Sequence, residues 1–375
     1  MTIYKNLTYL DKNRYGEPFD LPEPDPNLGL CIVIPISEMA LIERTLHSLN
    51  QRSSGNQSIE ILISGVGEGD HDSRRLEEWR KENNFLYPIY TCFKSDIPDK
   101  HLTSGLIRKL AMDEALDRLK RVETKPGLIL SLDAGVEVPE NFYPRLGACF
   151  FKKPKVSGLG FNYRREEESQ KELYERFFVK ALKWAGYPNA YLTIGNNFVC
   201  TAHIYEKVSG MNRKNHDEGF YFQQKIIAQS RFRTCRHLVL KNPRPDLYLA
   251  VSERKGFIPS LPVFEELKNF FAAIEDIFKG VQPETGPAMA SFMVKEQAWE
   301  KIEEMREYSN SLETFQKRFW AWMNPLLIRN FVKWASEHYY AYEHDVQVCN
   351  DLLELLGKDK AEGLSPILEI FRGFN

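Results

Sequence analysis

The chain has 375 residues, 43% hydrophobic and 27% charged, an ordinary globular composition long enough for two domains or one large domain with an extension. Its formal charge of −2 excludes the global basic field that nucleic-acid binding needs. No apolar run approaches the roughly 20 residues that span a bilayer, so any membrane contact is expected to be peripheral.

Residues 1–28 are polar and rich in proline toward their end (LPEPDPN), which reads as a lead-in arm without an element of its own. Leu28–Pro35 is a short β-branched run stopped by proline, the pattern of a buried strand. Residues 39–50 carry Ile42, Leu46 and Leu49 at helical spacing. A second apolar strand, 59–63, ends in a glycine-rich turn, followed by a helix over 73–81 and a weaker strand near 86–92. Residues 104–120 form an amphipathic helix with Leu106, Leu110 and Leu119 on one face. Gly127–Asp133 is another apolar strand and ends on an acid.

Strands alternating with helices, each strand apolar on both faces, predict an α/β fold with a mostly parallel sheet covered on two sides. After residue 150 the alternation loosens. Helices are expected at 167–185, 203–210 and 217–229, with strands at 192–202 and 236–241. From about residue 262 the pattern is almost wholly helical. Six cysteines stand at positions without metal-ligand spacing, which reads as six reduced thiols in a cytoplasmic protein, peripheral at the inner membrane face where it meets a membrane.

Open parallel sheets bind ligands beyond the carboxyl ends of their strands, which directs attention to the residues after each strand. Asp133 follows a fully apolar strand, where a carboxylate must be paired or bound to a cation; the alternative is a turn aspartate. Asp217 and Glu218 open a helix, as capping acids or as a general base for a hydroxyl. Arg108 lies early in the 104–120 helix, as a surface ion pair or as a clamp for phosphate or carboxylate. Gly65, Gly67 and Gly69 lack the third glycine of a dinucleotide loop, since position 70 is aspartate, and read as a simple turn.

In this order the pieces resemble the family-2 glycosyltransferases of GT-A fold over residues 29–245. Ile32–Pro35 through Glu38, with Arg44–Leu49, resembles the opening strand, acidic loop and first helix of that family. Residues 60–70 stand where the nucleotide loop belongs. Gly105–Lys109 resembles the start of a conserved helix, and Leu130–Gly135 resembles the strand that bears the DxD motif. Gly195–Phe198, Val208–Met211 and Asp217–Glu218 resemble the acceptor-side segment.

The resemblance implies a Rossmann-like GT-A domain over 29–258, after the arm of 1–28 and before an α-helical region of 259–375. It implies transfer of a sugar from a nucleotide-diphosphate donor to a saccharide or lipid-linked hydroxyl, with inversion, assisted by a divalent metal, Mn or Mg. It places Pro35, Glu38, Gly67, Arg108 and Asp133 on the donor side, Asp133 on the metal, and Asp217 or Glu218 as the base. The sequence departs from the pattern where the nucleobase acid would be (Gly65-Val66) and at the second acid of the DxD, which is Gly135. Those losses leave a non-catalytic scaffold or binding module as the alternative. The aromatic stretch 315–334 reads as a helix pair broken near Pro325 or as a membrane-surface segment.

Overall fold

The computed structural model describes residues 8–51, 57–122, 126–151, 156–165, 170–193, 195–241 and 256–373. The chain divides into two compact units, residues 1–166 with 192–248, and residues 167–191 with 249–375.

The first unit is built on a seven-stranded sheet. In chain order its elements, together with one helix of the second unit, are α1 (Tyr9–Asn13), β1 (Leu28–Pro35), α2 (Met39–Leu49), β2 (Ser58–Val66), α3 (Asp70–Glu82), β3 (Ile89–Lys94), α4 (Ser104–Arg121), β4 (Leu128–Ser131), α5 (Phe142–Phe151), β5 (Val156–Arg164), α6 (Gln170–Trp184, second unit), β6 (Phe198–Thr201), α7 (Ala202–Lys207), α8 (Glu218–Gln229) and β7 (Arg231–Lys241). The strand order is β3-β2-β1-β4-β6-β5-β7. β6 runs antiparallel to both neighbours and the other pairs are parallel. This is the mostly parallel sheet, with helices on both faces, that the alternation predicts. The chain proceeds outward from β1 to β3 on one side and then crosses to β4 on the other, so the carboxyl ends of β1 and β4 flank a topological switch point.

The core of the sheet is apolar by sequence. Leu28, Ile32, Val33, Ile34, Ile61, Leu62, Ile63, Ile129 and Leu130 are buried, and α4 covers β1 and β2. One charged pair is set into this core. Arg118 of α4 donates from Nε and Nη2 to the Glu60 carboxylate of β2 at 2.6 and 2.9 Å, a bidentate geometry suited to a buried pair.

The N-terminal arm corrects the expectation of a featureless lead-in. Thr8 and Asp11 form a reciprocal capping box that starts α1. The arm is tied to α4: Tyr9 Oη donates to Asp113 at 3.0 Å, Arg14 sits 3.3 Å from Asp117, and Arg118 donates to the Pro22 carbonyl at 2.9 Å. A second correction concerns the thiols. Cys149 and Cys235, on α5 and β7, form a disulfide; Cys31, Cys92, Cys200 and Cys349 are free and buried. The two partners lie 86 residues apart, so sequence spacing carries no trace of their adjacency.

The second unit contains α6 and a helical array: β8 (Phe257–Pro259), α9 (Leu261–Ala272), α10 (Ile274–Phe278), α11 (Pro287–Lys295), α12 (Ala298–Glu307), α13 (Leu312–Trp322), α14 (Pro325–His338), β9 (Tyr342–His344), α15 (Asp345–Leu355) and α16 (Leu364–Gly373). Helix α6 packs with α9, α15 and α16. The aromatic stretch is a helix pair: Asn324 caps α14 by accepting from the Leu326 and Leu327 amides, and Phe315, Phe319, Met323 and Phe331 are buried. Buried Glu172 of α6 receives Arg176 from its own helix and Arg372 from α16, each Nε at 2.9 Å. Among the described residues no helix is long and apolar enough to cross a membrane.

Candidate active site

A cavity of about 270 Å³ opens at the carboxyl ends of β1 and β4, within the first unit. Five residues singled out by sequence line it: Pro35 after β1, Arg108 on the first turns of α4, Asp133 two residues after β4, and Asp217 and Glu218 at the start of α8. Asn196, Asn215, His216 and Phe220 complete much of the wall. Glu38 and Gly67 are elsewhere. Glu38 is exposed and its carbonyl accepts the Leu41 and Ile42 amides at the start of α2. Gly67 is exposed, with φ +104°, and its amide donates to the Lys94 carbonyl at 3.0 Å.

Asp133 is 8% exposed and satisfied from within the protein. Arg108 Nη2 donates to Oδ1 at 2.6 Å, Asn197 Nδ2 to Oδ2 at 3.2 Å and Asn196 Nδ2 to Oδ1 at 3.4 Å. The Asp133 amide in turn donates to Asn197 Oδ1 at 2.9 Å. Arg108 is buried and ion-paired with the chain's own Asp133, not with a neighbour at the surface. Its Nη1 donates to Ser131 Oγ at 2.7 Å, and its Nε lies 4.0 Å from Glu218 Oε1. The guanidinium therefore stands between the Asp133 and Glu218 carboxylates.

This donor set does not fit a divalent cation on Asp133. Both of its oxygens already accept N–H groups, and a fixed guanidinium repels a second positive charge at hydrogen-bond range. Among the described residues no group of three His, Cys, Asp or Glu side chains is placed to hold a metal ion. The missing second acid has a backbone reason. Position 135 has φ +93°, which favours glycine, and its amide donates to the Leu41 carbonyl and to Thr45 Oγ1, each at 2.9 Å. The glycines at the end of β2 and in the turn after it are likewise packed: a Cβ at Gly65 or Gly69 would collide with the Phe93 side chain.

The acidic pair at α8 is held by a strap, residues 212–217, that is laced to the start of α4. Gly105 donates to the Lys214 carbonyl at 2.9 Å, Thr103 Oγ1 to the Arg213 carbonyl at 3.0 Å and Ser104 Oγ to the Asn215 carbonyl at 2.8 Å. Asp217 is the N-cap residue in left-handed conformation (φ 55°), and its side chain makes no capping bond. Its Oδ1 is buried and lacks a hydrogen-bond partner among the described residues, as do Asn196 Oδ1 and Arg108 Nε. Glu218 is 5% exposed and accepts no hydrogen bond at its carboxylate from a described residue; its charged neighbour is Arg108.

Sequence reasoning did not assign Asn196 and Asn197 as the partners of Asp133. The Gly195-Asn-Asn run was the available signal, because paired amides after a glycine turn suit a buried carboxylate.

No family model matches the chain, and no curated protein matches it. Solved structures similar to it include a mannosyltransferase, PcManGT from Pyrobaculum calidifontis, in complex with GDP-Man and Mn2+, at 13% identity over 86% of this chain and 90% of that one, TM-score 0.41. TarS residues 1–349 from S. aureus in complex with UDP is 10% identical over 83% of this chain and 91% of that one, TM-score 0.40. GalNAc-T7 with UDP, GalNAc and Mn2+ is 13% identical over 72% of this chain and 54% of that one, TM-score 0.34.

Proposed function

We propose that the cleft transfers a sugar from a nucleotide-diphosphate donor to a hydroxyl acceptor, a saccharide or a lipid-linked sugar. The observation that supports this most directly is convergence. Pro35, Arg108, Asp133, Asp217 and Glu218, which the family resemblance selects from four separate segments, line one cavity at the switch point of the sheet.

Asp217 is the base in this reading. Its carboxylate, on the wall of the cavity, takes the acceptor proton as the acceptor oxygen forms its bond to the anomeric carbon. The bond from that carbon to the donor diphosphate breaks, the electron pair leaves with the diphosphate, and attack from the opposite face inverts the centre. The start of α8, which has no side-chain cap, adds positive partial charge to the cleft. Arg108 and Asp133 hold the floor, and Glu218 stays behind the guanidinium. No step runs through Mn or Mg at Asp133, where Arg108 already supplies the counter-charge.

The test is thermal unfolding with UDP-, GDP- and dTDP-sugars, each with manganese and with chelator. Stabilisation by at least one donor, equal in both conditions, is expected; silence across the panel contradicts the reading. A second reading, a binding module without turnover, is favoured by the internal pairing of Asp133 and by a volume just under that of ligand pockets, which start at roughly 300 Å³. It predicts donor binding with no release of nucleoside diphosphate.

A further inference from the structure

Four polar groups on the wall of the cleft have unmet hydrogen-bonding capacity. Three are acceptors: Asp217 Oδ1 and Asn196 Oδ1, both buried and without a partner among the described residues, and the Glu218 carboxylate, which takes no hydrogen bond from a described residue. One is a donor, Arg108 Nε, on a side chain that is 3% exposed. The Asn196 amide is oriented by its own contact, since Nδ2 faces Asp133 and Oδ1 is left over. Unpaired buried polar atoms carry a desolvation penalty, so this set favours a ligand that meets all four.

The chemistry of the set selects the ligand class. A phosphate or carboxylate offers only acceptor oxygens and would face three acceptors, two of them acidic. A metal or ammonium ion suits the acceptors but meets the Arg108 guanidinium. A hydroxyl both donates and accepts. Neighbouring hydroxyls on one ring can donate to Asp217, Asn196 and Glu218 and accept from Arg108. The cavity of about 270 Å³ has room for one pyranose.

We infer that this part of the cleft is a subsite for an uncharged sugar, and that it disfavours sugars carrying phosphate. The inference rests on the transferase reading for the ligand's role as acceptor, and not for its binding. In either acceptor class the ring that occupies the subsite is neutral, and any phosphate the acceptor carries lies outside it.

The test is calorimetric titration of the full chain with methyl glucoside, galactoside, mannoside and N-acetylglucosaminide, and with glucose, galactose and mannose 6-phosphates. At least one methyl glycoside is expected to bind, with its 6-phosphate about tenfold weaker or worse, and Asp217→Asn and Asn196→Ala are each expected to weaken the glycoside about tenfold. Unchanged melting curves for both variants separate lost contacts from lost folding, and Glu218→Gln is the third variant should either fail to fold. Binding of the phosphates as tight as the neutral sugars, no glycoside binding at all, or indifference to the substitutions overturns the inference. Parallel titration with nucleotide sugars keeps the two proposals apart. Glycoside binding without donor binding sinks the transferase and leaves the subsite; donor binding with preferred sugar phosphates does the reverse.

Discussion

Replacing Arg108 by methionine should destabilise the first unit far more than a surface arginine would. Arg108 is 2% exposed and holds Asp133 at 2.6 Å, with Glu218 4.0 Å from its Nε. Without the guanidinium, Asp133 keeps only the Asn196 and Asn197 amides, and Glu218 loses its countercharge. Breaking a buried pair by removing one partner costs about 3–5 kcal/mol. At 1.4 kcal/mol per tenfold, that is about a 10²- to 4 × 10³-fold faster exchange of amide protons that require opening of the unit. Hydrogen exchange read by mass spectrometry on α4 and β4 peptides measures this without interference from the second unit. The double variant Arg108→Met with Asp133→Asn removes both charges of the closest pair and should recover the Asp133 part of the loss, with Glu218 still lacking its countercharge. Less than tenfold acceleration in the single variant, or no recovery in the double, would refute the view that the pair organises the cleft floor.

Three further outcomes are expected. Gly105→Ala puts a Cβ 2.5 to 2.9 Å from backbone atoms of Asn212 and Lys214, so the strap carrying Asp217 must shift; a loss of about 1–3 kcal/mol, with a larger fall in ligand affinity, should appear in chemical unfolding and titration. Burial pushes the Glu172 carboxyl up, but hydrogen bonds and charge from Arg372 and Arg176 outweigh it and hold it below the usual carboxylate value. That contribution is present above the unfolded value of about 4.3 and lost as pH falls through the lower folded value, so acid should loosen the second unit, and Glu172→Gln should flatten the response, as measured by exchange at α6 and α16. Burial, and then the charge of Lys109, push Lys225 down to about 8, so the folded state sheds its proton first. Lys225's own contribution to stability should therefore grow between about pH 8 and the unfolded lysine value of about 10.4, and the urea midpoint of the native chain should gain on that of Lys225→Met over that window.

The strands with unbroken apolar runs, β1, β2 and β4, were legible because burial on both faces demands such runs. Strand β5 was not, since Gly158 and Gly160 weaken its pattern. The structure shows their purpose: a Cβ at Gly158 would sit 2.8 Å from Ile226 and 3.0 Å from Phe232, so glycine lets α8 and β7 approach. Helix α5 was hidden by Pro144 and Gly147 in its sequence. The residues of the candidate site were legible one by one, but not their pairing. Arg108 and Asp133 are 25 positions apart on a helix and a loop, and the packing of α4 on the sheet, beside β1 and β4, brings them together. Without that contact, the strand-end aspartate reads as a metal ligand; with it, the cation is an arginine.

Release of nucleoside diphosphate from a nucleotide-sugar panel, in chelator and with the neutral glycoside that binds best, tests the account most directly. The account predicts turnover in the native chain and a fall of about 10²-fold or more in Asp217→Asn, the scale of a lost general base. Turnover that Asp217→Asn leaves intact, or that appears only on adding manganese, would contradict it.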